Sequence, residues 1–228
     1  MKSLVFDTGS IISLALNNLI WLLEPLKIQF DGGFIISPAV KHELVDKPLQ
    51  TKKYKFEALQ VLQNIQQGVL EIVDTKHIQE TADRLYQLAN SCFIADNHPI
   101  SIVHTGEIEG IAAYLHLNSN AFIIDERTTR LLIEEPKKLA FILQHKLHTP
   151  VTIHQHTLNQ FLHETGNVKL LRSFELVVAA YELGLLDKFV LNIPSSRKTL
   201  LDGVLWGLKL NGCAVSEREI EEVIRLEH

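Results

Sequence analysis

Val5-Phe6-Asp7-Thr8-Gly9-Ser10-Ile11-Ile12-Ser13-Leu14 decides the fold, because a short apolar strand here ends on an acid and passes at once into a helix. Residues 3–6 form a run that stops at Asp7, and from Ile11 the positions Ile11, Ile12, Leu14, Ala15, Ile20 and Leu22 favour a helix that Pro25 ends. A strand that does not alternate apolar with polar residues is buried on both faces, the habit of parallel sheets covered by helices. The same succession recurs downstream. Residues 34–36 follow Gly32-Gly33 and lead into Ser37-Pro38, an N-cap with proline at the first helical position, opening a helix that carries Glu43. Residues 54–65 read as helix, 69–73 as strand, and Ile78, Ala82, Leu85 and Ala89 repeat at helical spacing. Residues 90–105 have the weakest periodicity and are predicted to form a loop. Residues 106–117 return to helix, and 121–124 form an apolar run that ends at Asp125.

Beyond Pro136 the texture becomes helical, with helices expected over 137–146, 156–164, 168–183, 196–210 and 216–225, and only 150–153 as a further strand. The expected architecture is α/β, a three-layer α/β/α sandwich with a central, mostly parallel sheet and a helical C-terminal extension. Residues 1–153 would form the core and 154–225 the extension packed on the same domain, since no flexible linker separates them. Leu226, Glu227 and His228 resemble the start of an expression tag.

The 228 residues are 46% hydrophobic and 21% charged, which excludes a disordered, collagen-like or coiled-coil chain. Lys and Arg total 22 against 27 Asp and Glu, a formal charge of -5, so no bulk positive field attracts nucleic acid. Two cysteines, Cys92 and Cys213, are too few for a disulfide framework and read as small buried hydrophobes. The apolar stretch 11–23 is shorter than a bilayer span and carries Asn17 and Asn18, so a cytoplasmic protein without a membrane partner is expected.

Four acids occupy equivalent places in this layout: Asp7, Glu43, Glu107 and Asp125. In an open parallel sheet the carboxyl ends of the strands share one edge, so side chains distant in sequence can meet there. Clustered carboxylates resist ionisation unless a cation neutralises them, and hard oxygen ligands suit Mg²⁺ or Mn²⁺. Such ions lower the pKa of bound water and clamp the oxygens of an in-line phosphoryl displacement. Taken singly, each acid is better explained as a helix cap; four at one sheet edge are harder to explain that way.

The opening segment, together with Ile35-Ile36-Ser37-Pro38-Ala39-Val40-Lys41-His42-Glu43-Leu44, Gly106-Glu107-Ile108-Glu109-Gly110-Ile111-Ala112 and Ile123-Ile124-Asp125-Glu126-Arg127-Thr128-Thr129-Arg130, resembles the successive motifs of PIN-domain nucleases. The nearest resemblance is to the prokaryotic VapC-like branch with its Gly-Glu-x-Glu helix start. Residues 179–186 and 201–224 resemble the closing helices of that branch. The resemblance implies a PIN-like fold and a metal-dependent endoribonuclease whose catalytic and metal-binding set is Asp7, Glu43, Glu107 and Asp125. Glu109 competes with Glu107 for the third place. It also implies that Ser10 orients the first carboxylate or a metal-bound water, that Glu126 is an outer ligand, and that the chain is a homodimer. RNA, single-stranded, is the implied substrate, and an antitoxin protein is the implied partner if the chain is the toxin of a toxin–antitoxin pair rather than an RNA-processing factor. Two long stretches, 48–105 and 149–171, are placed to reshape or cover the substrate groove.

Other signals weigh less. Asp7-Thr8-Gly9-Ser10 also matches aspartic proteases, but their chemistry needs a second such motif on an all-β scaffold, and the chain has no second copy. His145, His148, His154, His156 and His163 crowd one region without a His-Glu-x-x-His motif or a nearby cysteine, and His104 reads as a loop histidine. Arg127, Arg130, Lys137 and Lys138 are candidates for contacts to phosphates flanking the scissile bond. Phosphate-binding, dinucleotide and hydrolase-elbow motifs are absent from the sequence. The alternative to a nuclease is a catalytically inactive PIN-like module that binds RNA or protein.

Overall fold

The computed structural model describes residues 2–227. The first half runs β1 (Ser3–Phe6), α1 (Thr8–Leu16), α2 (Leu23–Phe30), β2 (Gly33–Ile36), α3 (Pro38–Lys41), α4 (Lys47–Leu49), α5 (Lys55–Gln66), β3 (Glu71–Ile72), α6 (Lys76–Ala89), β4 (Phe93–Ala95), β5 (His98–Pro99) and α7 (Thr105–Leu117). The second half runs β6 (Ala121–Ile123), α8 (Arg127–Glu134), α9 (Pro136–Leu147), β7 (Val151–Ile153), α10 (Gln155–Thr165), β8 (Leu170–Leu171), α11 (Ser173–Glu182), α12 (Ser196–Leu210) and α13 (Glu217–Leu226).

β1 is the centre of a five-stranded parallel sheet in the order β3-β2-β1-β6-β8. Because side chains alternate across a strand, its four buried residues serve two cores. Leu4 and Phe6 join Phe34, Ile36 and Ile123 in a core covered by α1, α2, α5 and α11 to α13. Val5 joins Ile35 and Phe122 in a second core covered by α6 to α10. Burial on both faces explains the unbroken apolar strands, and it makes the fold the three-layer α/β/α sandwich expected from the sequence. No single helix among the described residues is long and apolar enough to cross a membrane; α1 with residues 20–30 passes only as a pair bent by 115°, and its Ile11, Leu14, Leu22 and Leu23 are core residues.

Three local expectations need correction. Residues 90–105 are not merely a loop, since β4 and β5 form a hairpin there around Asp96 and Asn97, both at positive φ. Two consecutive left-handed residues give the tight turn whose twist matches paired strands, and Asp-Asn signals it less plainly than Asn-Gly. The strand within 150–153 is present as β7, but it pairs antiparallel with β4 in a separate three-stranded sheet. The helix expected over 168–183 begins only at Ser173, because Leu170 and Leu171 pair with Phe122 and Ile123 as the last strand of the main sheet. The stretch read as a helical extension thus supplies one edge of the sheet, while Phe174, Val177, Leu201, Leu205, Leu208, Ile220 and Ile224 share the core of Leu14 and Leu22. Of the tag-like residues, Leu226 closes α13 and His228 lies outside the described residues.

Candidate active site

At the carboxyl edge of the sheet several helices begin together, each capped by local chemistry. Asp7 caps α1 by accepting from the Gly9 amide at 3.1 Å, and Ser37 caps α3 by accepting from the Val40 amide at 3.2 Å. His104 occupies the cap of α7, and Glu126 caps α8 by accepting from the Thr129 amide at 2.7 Å. After α3 the backbone widens to a π-turn over His42–Asp46, which carries Glu43, before continuing into α4. Such turns re-aim a side chain that regular helix would direct elsewhere.

These elements enclose a cavity of about 230 Å³ lined by Asp7, Thr8, Gly9, Glu43, His104, Gly106, Glu107 and Glu126. Within it each carboxylate is held by one oxygen. Glu43 Oε2 accepts from the Thr8 hydroxyl at 2.7 Å, and Glu107 Oε2 accepts from the His104 amide at 2.7 Å. Burial pushes the Asp7 carboxyl up to about 7, and the charges of Glu107 and Glu43 add to it while the Gly9 and Thr8 amides oppose it. Glu107 is likewise pushed up to about 7, first by burial and then by Glu126 and Glu43, against the His104 amide. Two buried acids raised in one cleft make it the candidate functional site.

The structure places Asp7, Glu43 and Glu107 in the lining of one cavity and sets Glu107 and Glu109 in different surroundings. Glu107 and Glu109 are two residues apart on α7, roughly 200° around the helix, and Glu109 turns away to accept from the Ala39 amide at 3.0 Å, capping α3. Asp125 is placed differently from the expectation. Its Oδ1 and Oδ2 accept from the Ser173 amide and hydroxyl at 2.7 and 2.6 Å, and it sits beside Gly9 and Cys213, outside the cavity lining. Glu126, expected as an outer ligand, lines the cavity. Ser10 also departs from its expected role. Fully buried, it donates to the backbone carbonyls of Asp7 at 2.8 Å and Ile123 at 3.2 Å, so it ties β1 to β6 without touching a carboxylate.

Beside Glu126, a second cavity of about 540 Å³ is lined by Arg127, Arg130, Lys138, Arg172 and Lys209, interspersed with Glu134, Glu135 and Glu219. Arg127 is exposed and makes no ion pair among the described residues, and Arg130 Nε is buried without a hydrogen-bond partner. Lys137 is not among that cavity's lining residues. Sequence reasoning missed Thr8 and Ser173 and set His104 aside. Only Ser173, within Arg172-Ser173-Phe174-Glu175, stood next to a recognisable helix-start signal, since Glu175 accepts from the Arg172 amide. The crowded histidines make local contacts, with His145 Nδ1 2.8 Å from the Phe141 carbonyl and His154 Nδ1 2.6 Å from the Thr157 hydroxyl. The protease reading fails on the scaffold, because the residues after Asp7 form a helix beside a parallel sheet.

Asp7, Glu43 and Glu107 are hard oxygen donors of the chemical type that divalent cations such as Mg²⁺ and Mn²⁺ take. Among the described residues, however, no three His, Cys, Asp or Glu side chains converge into a ready ligand cluster. Burial first, and the neighbouring charges after it, raise the Asp7 and Glu107 carboxyls.

The PIN-domain family model DUF3368 matches residues 3–137, more than half of the chain. No curated protein and no solved structure matches it. The matched span contains the whole acidic cavity with the β1, β2 and β6 edges that build it, and the chain belongs to the PIN-domain family, a nuclease-type fold that acts on nucleic acid.

Proposed function

We propose that the chain is a metal-dependent endoribonuclease that hydrolyses phosphodiester bonds of single-stranded RNA at the cavity of Asp7, Glu43, Glu107 and Glu126. The observation that carries the reading is that four carboxylates, two pushed up to about 7, line one cavity at the edge of a PIN-type sheet. Asp7, Glu43 and Glu107 are the residues that would hold Mg²⁺ or Mn²⁺. When bound, the ion supplies charge neutralisation, activation of water and stabilisation of the developing phosphate charge.

The chain's own groups prepare for that. Thr8 fixes the Glu43 carboxylate, the His104 amide fixes Glu107, and Ser10 fixes the Asp7 backbone, so little reorganisation is left for the reaction. Asp125 acts as a positioning residue that ties the start of α11 to the end of β6 through Ser173. Arg127 and Arg130, which line the cavity beside the cleft, would hold phosphates of the strand through their guanidinium groups.

The test is cleavage of a 5′-labelled unstructured RNA in Mg²⁺, Mn²⁺ or EDTA. We expect cleavage with either metal, none in EDTA, and loss of about 100-fold or more in Asp7→Asn or Glu107→Gln. Cleavage that survives EDTA or either substitution overturns the proposal. A toxin paired with an antitoxin protein and an RNA-processing factor are the two cytoplasmic settings of such an enzyme, and a co-purifying small inhibitor identifies the first. The homodimer that belongs to the same proposal is checked by light scattering.

A further inference from the structure

Against a formal charge of -5, the ten residues 47–56 hold four lysines and no acid. Lys52-Lys53-Tyr54-Lys55-Phe56 lies between α4 and the first turn of α5 and is exposed throughout. The Phe56 side chain is 67% exposed and Tyr54 36%. Tyr54 is held at φ 62°, a left-handed conformation uncommon for a bulky residue, and Lys53 Nζ lies 4.4 Å from its ring centroid. Lys52, Lys53 and Lys55 make no ion pair among the described residues. The π-turn that carries Glu43 packs against both α4 and α5, the two elements that flank this segment.

Resting on the nuclease reading above, we infer that Lys52, Lys53, Tyr54, Lys55 and Phe56 form a platform for single-stranded RNA, with bases stacked on Tyr54 and Phe56 and phosphates paired with the lysines. Exposed rings cost hydration free energy, and unpaired lysines crowded around them repel one another. A single strand relieves both, because each nucleotide offers a π-face and a negative charge at neighbouring positions. A protein partner fits less well, since covering the rings would bury lysines of the kind depleted from interface cores. Duplex RNA keeps its bases stacked inside and offers only phosphates.

The experiment is fluorescence anisotropy with a labelled oligouridine and a duplex RNA of equal length, in EDTA so that no cleavage intervenes. Tyr54→Ala and Phe56→Ala are each expected to weaken single-strand binding by about five-fold or more, with Tyr54→Phe restoring it and duplex binding unmoved. Replacing Lys52, Lys53 and Lys55 with Gln lowers the log–log salt slope by about 2, close to 0.7 per phosphate contact. All these side chains are exposed, so the variants keep the wild-type melting temperature. In Mn²⁺ the ring variants raise KM for a long single strand while kcat holds. Ring variants that bind the oligouridine like wild type overturn the platform, as does a fall in molar mass from dimer to monomer with RNA affinity unchanged. If the wild type binds the oligouridine through this segment yet cleaves nothing with metal, the nuclease reading fails and the platform stands.

Discussion

Replacing Asp7 by Asn should stabilise the metal-free protein at pH 8 and by only about a third as much at pH 5. The carboxyl is 4% exposed and pushed up from 3.8 to about 7. Between those values the folded chain keeps a proton that the unfolded chain has released, so stability falls as pH rises from about 4 to about 7 and is flat above. A shift of about three units corresponds to about 4 kcal/mol at 1.36 kcal/mol per unit. Water in the open cavity screens part of this, and about 2 kcal/mol is the expected gain on removing the charge. Asn retains an oxygen for the Gly9 amide, so the cap of α1 survives. In a chain of this size the gain corresponds to roughly 4–8 °C in Tm. The assay is thermal denaturation by circular dichroism at pH 5 and pH 8 in EDTA, then at pH 8 with Mn²⁺. Saturating Mn²⁺ should raise the wild-type Tm by mass action, about 2.7 kcal/mol at 100 times Kd, and leave Asp7→Asn where it was. An Asn variant less stable than wild type at both pH values would refute the reasoning, because it would mean that the buried charge is compensated in the metal-free fold.

Further substitutions test other joints of the account. Glu107→Gln should abolish Mn²⁺ binding in calorimetry, whereas Glu109→Gln, which touches only the α3 cap, should retain it. Ser173→Ala removes the 2.6 Å hydrogen bond to buried Asp125 and should cost about 2 kcal/mol in urea unfolding. Arg172→Lys should cost about 3 kcal/mol in the same assay, because Arg172 bridges Glu175, Glu219 and the Ala214 carbonyl from a site 8% exposed, and a lysine cannot make that fork. In Gly110→Ala the new methyl would lie 2.5 Å from the Phe122 ring and overpack the helix–sheet contact by about 1–3 kcal/mol. Gly106→Ala meets only ordinary contacts and should fold normally.

The parts of this molecule readable from sequence are those set by local periodicity and local capping. The apolar runs ending at Asp7 and Asp125, the Ser37-Pro38 helix start and the acid after Gly106 lie on the page in order, and the parallel sheet follows from strands that do not alternate. What escaped was set by partners remote in sequence. Asp125 reads like Asp7, yet Ser173, 48 positions away, claims both of its oxygens and leaves the cavity to Glu126. Ser173 was hidden inside a stretch read as continuous helix because β8 is only two residues long. The aim of Glu109 depends on the Ala39 amide, 70 residues away, and adjacency to Glu107 carries no information about it. The hairpin of β4 and β5 escaped because its strands are short and half exposed, so neither period is visible.

The central claim is that Asp7, Glu43 and Glu107 form a divalent-cation site, and isothermal titration of the EDTA-treated, buffer-exchanged protein with Mn²⁺ tests it most directly. The account predicts saturable binding at pH 8 that weakens as the pH falls below 7 and that Asp7→Asn and Glu43→Gln abolish. Binding that is absent in the wild type, or that persists unchanged in both variants, contradicts it.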